Sequence, residues 1–302
     1  MSLYKLISPK SLADLVRKET SRRVVPVDST WYMPNTKKDG KQEFLDVERI
    51  ANAVYFDIDG VKDHSSPYPH MLPDLATFNA GMSQLGITSS DILVVYDRIG
   101  NFSAPRCAWT LAVFGHQPVY LLNNFIAYKQ QGLPLDTSKR TAVSPFQPST
   151  YESNVDLTSQ EVVSYEDMLK LVESGELALK YNVFDARALP RFTGEASEPR
   201  PGLPSGHVPG TQPLPYSAVL SEGCFEDSPE KMQKRLQDYL ESANCTLDSR
   251  KPTIAMCGTG VSGVIIKTAL ELAGVKDVKL YDGSWTEWAM RADPKYLAKG
   301  RK

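Results

Sequence analysis

Thr253-Ile254-Ala255-Met256-Cys257-Gly258-Thr259-Gly260-Val261-Ser262-Gly263 runs from a short apolar strand pattern into a glycine-rich loop, and a helical pattern follows as far as Gly274. Glycine just past the last periodic residue is a good helix stop. The segment reads as strand, tight loop and helix, with a thiol at the carboxyl end of the strand. Gly258 and Gly260 permit backbone angles closed to other residues. Consecutive N–H groups can then converge on one point, and the helix end adds partial positive charge. Lowering a cysteine pKa by about two units from ~8.5 takes roughly 2.7 kcal/mol of preferential interaction with the anion. Several aligned amides and a helix terminus are of that size, so Cys257 is expected to be reactive.

Three other readings compete for this loop. One is a buried structural cysteine at a strand-to-helix turn. A second is a dinucleotide site, because Gly258 to Gly263 spells G-x-G-x-x-G with Asp282 further on. Only one strand pattern, Val278 to Tyr281, and one short helix follow, too few for a nucleotide-binding half. A third is phosphate-ester chemistry by C-x5-R, which fails because Gly263 stands where the arginine should be.

A chain of 302 residues suits two domains, each with its own core. With 41% hydrophobic and 23% charged residues and a net charge of −2, there is no bulk electrostatic reason to bind nucleic acid or membrane. No apolar run approaches the roughly 20 residues of a membrane helix. Cys107, Cys224, Cys245 and Cys257 show neither C-x-x-C nor metal-type spacing, so no metal, no cofactor and no disulfide framework are expected. A reducing compartment fits, and the cytoplasm is expected. Lys5, Lys10, Arg17, Lys18, Arg22 and Arg23 leave a mitochondrial address open, although Asp14 and Glu19 interrupt them and Tyr4 to Ser8 reads as folded chain.

In chain order, Ser8 to Lys18 is a helix capped by Ser8 with Pro9 in first place. Strands are expected at Val24 to Val27, Ile50 to Phe56, Ile92 to Tyr96 and Val119 to Leu122, with a polar loop over Lys37 to Gly40. Gly60 to Pro73 is aperiodic and rich in Ser, Pro and His, the kind of loop where function sits. The pattern lapses from Leu133 to Gln160, and an irregular arm spans Arg191 to His207. Lys299 to Lys302 is a basic tail. Asp28 and Asp185, Ile50 and Val208, Asp97 and Cys257, Gly115 and Gly274, and Asn123 and Asp282 recur at a spacing of 157 to 160 residues. The chain is therefore two copies of one α/β unit, each a parallel sheet flanked by helices on both faces. The expected division is 1–138, a linker at 139–158, and 159–302. Asp97 stands in the first copy where Cys257 stands in the second, so only the second can do thiol chemistry.

These residues carry a resemblance. Cys257-Gly258-Thr259-Gly260-Val261-Ser262, the block Val278 to Trp288 with its Trp285, Glu287 and Trp288, Gly206-His207-Val208-Pro209-Gly210, Arg191-Phe192 with Glu198-Pro199-Arg200, and Ser66 to Pro73 are similar to the tandem rhodanese-domain sulfurtransferases of the 3-mercaptopyruvate type. The likeness covers Ser8 to Met290. Two positions depart from the family pattern: Thr259 replaces the usual serine, keeping the hydroxyl, and Thr211 stands where alanine is common.

The resemblance implies two tandem rhodanese-like domains, the first non-catalytic, and persulfide chemistry. Cys257 takes sulfur from a small-molecule donor, 3-mercaptopyruvate, releasing pyruvate, and passes it to a thiol acceptor such as thioredoxin, a small thiol or a sulfur-carrier protein. It implies Thr259, His70 and Asp59 as a relay bringing a proton to the leaving enolate. It further implies Arg191 and Arg200 as the fork for the donor carboxylate, with Gly258, Gly260, Val261 and Ser262 binding through the loop. Thiosulfate-specialised relatives place two basic residues directly after the cysteine; here Gly258 and Thr259 occupy those places. Among family members the chain looks most like the fungal ones linked to sulfur relay into tRNA wobble uridine. Without the resemblance, Arg191 and Arg200 can also be read as exposed arginines on a Pro-rich arm, and His70 as a histidine fixed between the halves. Trp285, Trp288 and His207 are expected to be structural, and Asp28 and Asp185 to fix loop backbones. A scaffold of inactive repeats and a thiosulfate-preferring enzyme are the competing functions.

Overall fold

The computed structural model describes residues 2–300; residue 1 and the end of the basic tail, 301–302, lie outside it. The first half runs β1 (Lys5–Ile7), α1 (Pro9–Lys18), β2 (Val24–Asp28), α2 (Gly40–Asp46), β3 (Arg49–Ile50) and β4 (Val54–Tyr55). It continues through α3 (Leu75–Gln84), β5 (Ile92–Tyr96), α4 (Ala104–Val113), β6 (Val119–Leu122), α5 (Phe125–Gln130) and β7 (Leu135–Asp136). The second half opens with α6 (Thr158–Glu161), β8 (Val162–Val163), α7 (Tyr165–Glu173), α8 (Leu177–Lys180), β9 (Asn182–Asp185), α9 (Leu189–Thr193) and β10 (Gln212–Pro213). It closes with α10 (Pro229–Ser242), β11 (Thr253–Met256), α11 (Val261–Leu272), β12 (Val278–Tyr281) and α12 (Ser284–Arg291).

The duplication is visible rung by rung. One parallel sheet has the order β1-β6-β5-β2-β4 and the other β8-β12-β11-β9-β10. Asp28 pairs beside Tyr96, and Asp185 beside Met256. The helix after the first strand of each unit is capped alike: Ser8 accepts from the Ser11 amide and Ser164 from that of Asp167. All five residues of β5 are buried, as a central parallel strand covered on both faces requires. Asp97 and Cys257 therefore follow the middle strands, at the sheet edge where α/β folds place ligands.

Three apolar clusters stack through the molecule. The outer two lie one in each half, and the middle one crosses between the halves. That crossing is made by α4 and α11, which pack together. Every residue of α4 is buried, because it faces its own sheet on one side and α11 on the other. Loops complete the contact with approximate twofold symmetry. The turn at 221–224 sits on the first half, where Asn101 donates to the Gly223 carbonyl (2.8 Å), Asn124 to that of Glu222 (2.9 Å), and the Phe225 amide to Asn123 (2.9 Å). In return the Leu72 amide donates to Asp282 (2.9 Å).

Four expectations change. The polar loop at Lys37 to Gly40 leads into α2, capped by Asp39, whose first residue is a glycine that obscures the helical pattern. The strand expected over Ile50 to Phe56 is two strands. β3 pairs antiparallel with β7, β4 pairs with β2, and Asn52 turns between them at φ 59°. Helix α11 begins at Val261, earlier than its apolar pattern suggests, because Gly260 at φ +78° forms its N-cap. Arg191 lies in the short helix α9 rather than on an irregular arm. The Pro-rich stretch between the halves is an ordered strap on the first. The Val143 carbonyl accepts from Tyr55 (2.8 Å), and the Ser149 and Leu157 amides donate to Ser83 (2.9 Å) and Val113 (3.0 Å). Among the described residues no helix is long and apolar enough to cross a membrane.

Candidate active site

Cys257, 1% exposed, lies in a cleft of about 180 Å³ between the halves. Trp31, Met33 and Phe102 come from the first half. Arg187, Ala188, Arg191, Arg200, Tyr216, Gly258, Thr259, Val261 and Ser262 come from the second. A larger concavity of about 600 Å³, between α10 and the end of α11, contains none of these groups. The larger one is lined by Cys245, Lys251 and Lys276 but by no glycine-rich strand-to-helix loop; the candidate site is the smaller cleft, where the Cys257 thiol, such a loop and three arginines meet.

The loop is anchored from behind by α12. The Cys257 amide donates to Ser284 Oγ (3.0 Å), and the Cys257 and Gly258 carbonyls accept from the Trp285 (2.9 Å) and Thr286 (3.0 Å) amides. Among the described residues, none of the amides from Gly258 to Ser262 donates to a protein acceptor. The first half shows what such a loop does with an anion. The Asp97 carboxylate, at the matching strand end, accepts from the amides of Ile99 (2.9 Å), Gly100 (2.9 Å), Ser103 (2.9 Å) and Ala104 (2.7 Å).

Three arginines stand over the thiol loop in different states. Arg187, which the sequence reading missed, is buried; it pairs with Asp185 (2.6 Å) and Glu198 (2.9 Å) and covers the Trp285 ring. Arg191 is turned onto Glu198 through Nη2 (2.5 Å) and Nε (3.2 Å), so its fork is already engaged. Its Nη2 lies 3.1 Å from where a Cβ on Gly258 would stand. Arg200 makes no hydrogen bond among the described residues. Burial pulls its pKa down, while Asp59 and Cys257 nearby act in the opposite direction. Arg200 is thus the arginine with donors to spare.

Of the three residues in the implied relay, Thr259 lines the cleft, whereas Asp59 and His70 do not. His70 Nδ1 is 2.9 Å from Asp59 Oδ1, but off the line of a hydrogen bond, and neither ring nitrogen makes an aligned one. The buried ring meets Trp31 edge-on at 4.7 Å, and Trp31 Nε1 donates to Asp59 (2.9 Å). The pair therefore stands one aromatic ring back from the cavity. Burial pushes His70 below its usual pKa, opposed by Asp59. For Asp59, burial works against ionisation, but His70 and Trp31 outweigh it and hold the carboxyl below the usual range. His70 sits at φ 63°, a strained angle for a residue with a side chain.

Gly260 faces away from the cavity. A Cβ there would lie 2.7 Å from the Asp282 carbonyl oxygen and 2.9 Å from Arg106 Nη1. Trp285 and Trp288 are buried, with ring N–H groups donating to the carbonyls of Pro204 (2.9 Å) and Tyr296 (3.0 Å). His207 stacks on Phe192. Arg106, Arg187 and Asp282 are the charged groups that the sequence reading left out of the site. A lone arginine in the apolar pattern Ala104 to Val113 was the available signal for the first.

A rhodanese-like domain model matches residues 164–291. The chain is 55% identical to thiosulfate sulfurtransferase TUM1 of Saccharomyces cerevisiae, over 100% of both chains, and the crystal structure of that yeast Tum1 protein superposes with a TM-score of 0.97. It is 35% identical to 3-mercaptopyruvate sulfurtransferase of Rattus norvegicus, over 98% of this chain and 96% of that one. The sulfur transferase subunit of a yeast mitochondrial complex I is 39% identical with a TM-score of 0.84, covering 98% of this chain and 100% of that one. With its doubled parallel sheet and glycine-rich cysteine loop, the chain belongs to the thiosulfate/3-mercaptopyruvate sulfurtransferases, enzymes built on the rhodanese domain.

Proposed function

We propose that this sulfurtransferase uses Cys257 as its nucleophile and 3-mercaptopyruvate as its preferred donor. The Cys257 thiolate attacks the donor sulfur, the donor C–S bond breaks, and the electron pair leaves on carbon as pyruvate enolate, which takes up a proton. Cys257 then carries a persulfide. An acceptor thiolate attacks the outer sulfur, and the Cys257 thiolate departs, so turnover is ping-pong. The open loop amides hold the anionic sulfur in both half-reactions, and Thr259, which lines the cleft, delivers the enolate's proton; the Asp59–His70 pair, one ring back, joins that relay on motif resemblance alone. Arg200 binds the donor carboxylate, and Arg191 sits beside it, braced by Glu198.

The observation that carries the donor assignment is the absence of a basic side chain at positions 258 and 259. A dianion such as thiosulfate needs cations against the sulfur, and none follows Cys257 directly. A Cβ on Gly258 would stand 3.1 Å from Arg191 Nη2, so a side chain there would press on the guanidinium. A monoanionic α-keto acid needs only the arginines across the cleft. The yeast relative is named for thiosulfate, and thiosulfate preference is the alternative. The division into units 1–138 and 159–302, a thiol acceptor, cytoplasmic or mitochondrial residence, and relay toward tRNA wobble uridine belong to the same proposal; the last rests on motif resemblance alone.

Intact mass after incubation with 3-mercaptopyruvate should rise by one sulfur in the wild type and not in Cys257→Ser. Initial rates with the two donors should favour 3-mercaptopyruvate. Equal or greater turnover of thiosulfate would reverse the donor assignment, and an unchanged mass with either donor would remove the reading altogether.

A further inference from the structure

We propose that Arg106, on the half that does not carry Cys257, is a positioning residue for the Cys257 loop: it holds the Gly260 carbonyl and so turns the Val261 amide toward the sulfur. The consequence rests on the sulfurtransferase reading of Cys257; the geometry does not.

Arg106 is the one charged residue of α4 and is 2% exposed. Its Nη1 donates to the Gly260 carbonyl (3.3 Å) and to Asp282, and its Nη2 to the His70 carbonyl. Asp282 uses its other oxygen to accept from the Leu72 amide. One guanidinium therefore fixes the loop carrying His70 and the loop carrying Cys257 against each other. Gly260 sits at φ +78°, and a Cβ there would lie 2.7 Å from the Asp282 carbonyl oxygen, so this turn of the loop requires glycine.

A trans peptide sets its C=O and N–H on opposite sides. With the Gly260 carbonyl drawn to Arg106, the Val261 N–H faces the other way, and Val261 lines the cleft with Cys257. The first half supplies an independent check. Ala104 opens α4 as Val261 opens α11, and the Ala104 amide donates to Asp97 (2.7 Å), the counterpart of Cys257. In the second half the sulfur takes the place of that carboxylate. The half that lacks Cys257 thus takes part in preparing its thiol.

The test is alkylation of Cys257 by iodoacetamide in the full-length chain, followed by peptide mass at about pH 7 and about pH 9.5, where a free thiol ionises unaided. Arg106→Met alone would leave the buried Asp282 carboxylate unpaired, so it is combined with Asp282→Asn, which still accepts from Leu72. Alkylation in the double variant should fall about tenfold at the lower pH, the worth of one hydrogen bond to a charged group, and recover at the higher. Arg106→Lys, whose single ammonium cannot span Gly260, Asp282 and His70, should show a smaller loss with the same recovery. Should the double variant not fold, Arg106→Lys decides. Wild-type rates at neutral pH, or slow alkylation that persists at high pH, would overturn the proposal. Alkylation needs no sulfur donor, so an absent persulfide would refute the proposed function without touching this result.

Discussion

Asp28 and Asp185 occupy matching strand ends but live in different company. Asp185 is clasped by Arg187, whereas Asp28 is buried with one oxygen accepting from Thr30 and the other facing Arg98 at 3.4 Å, outside good hydrogen-bond geometry. Burial pushes the Asp28 pKa up to about 6, against 3.8 ordinarily, despite Arg98. A raised carboxyl pKa favours the folded state fully below the ordinary value, and that contribution is lost as pH rises through about 6. The loss amounts to at most about 3 kcal/mol. Asp28→Asn keeps the acceptor for Thr30 and removes the titration. Its melting temperature should therefore gain on the wild type between about pH 4 and pH 7; a difference independent of pH would contradict the burial account. At this scale the sequence was informative where chemistry is local. Cys257 declared itself by its glycines and its place after a strand. Arg106 and Arg187 did not, because their partners lie on other loops and only the fold brings them together.

The elements most tightly bound to the site are β11 and α12. Ser284 opens α12 at φ 54°, buried, accepting from the Cys257 amide and donating to the Tyr281 carbonyl (2.8 Å). Ser284→Ala would leave a buried N–H without its acceptor, a loss of about 1–3 kcal/mol. Calorimetry should show a melting temperature lower by several degrees, and persulfide formation should slow, since the loop loses a rear anchor. An unchanged melting temperature and rate would show that the Trp285 and Thr286 amides suffice to hold the loop. Helices with strong caps were legible, as Ser8 and Pro9 show for α1. The early start of α11 was not, because Val261, Ser262 and Gly263 are poor helix formers placed there by a glycine cap. β3 escaped notice for another reason: it pairs with β7, far along the chain, and short strands are chosen by their partners.

At the scale of the molecule, the repeat could be read from spaced landmarks, but the docking of the copies could not. An apolar pattern on all sides of α4 says that something covers it, not that α11 does. With a core cluster running through both halves, a single cooperative unfolding transition is expected, with equal calorimetric and van't Hoff enthalpies. Two resolved transitions would mean that the halves are stable separately.

The carboxylate of Asp97 fills its own ring of amides, and the turn carrying Gly223 lies across that loop. The first copy's berth is thus doubly taken, by a tenant built into the chain and by a hatch supplied from its twin. On the proposed chemistry, sulfur traffic has a single port, and each polypeptide carries one atom of cargo at a time.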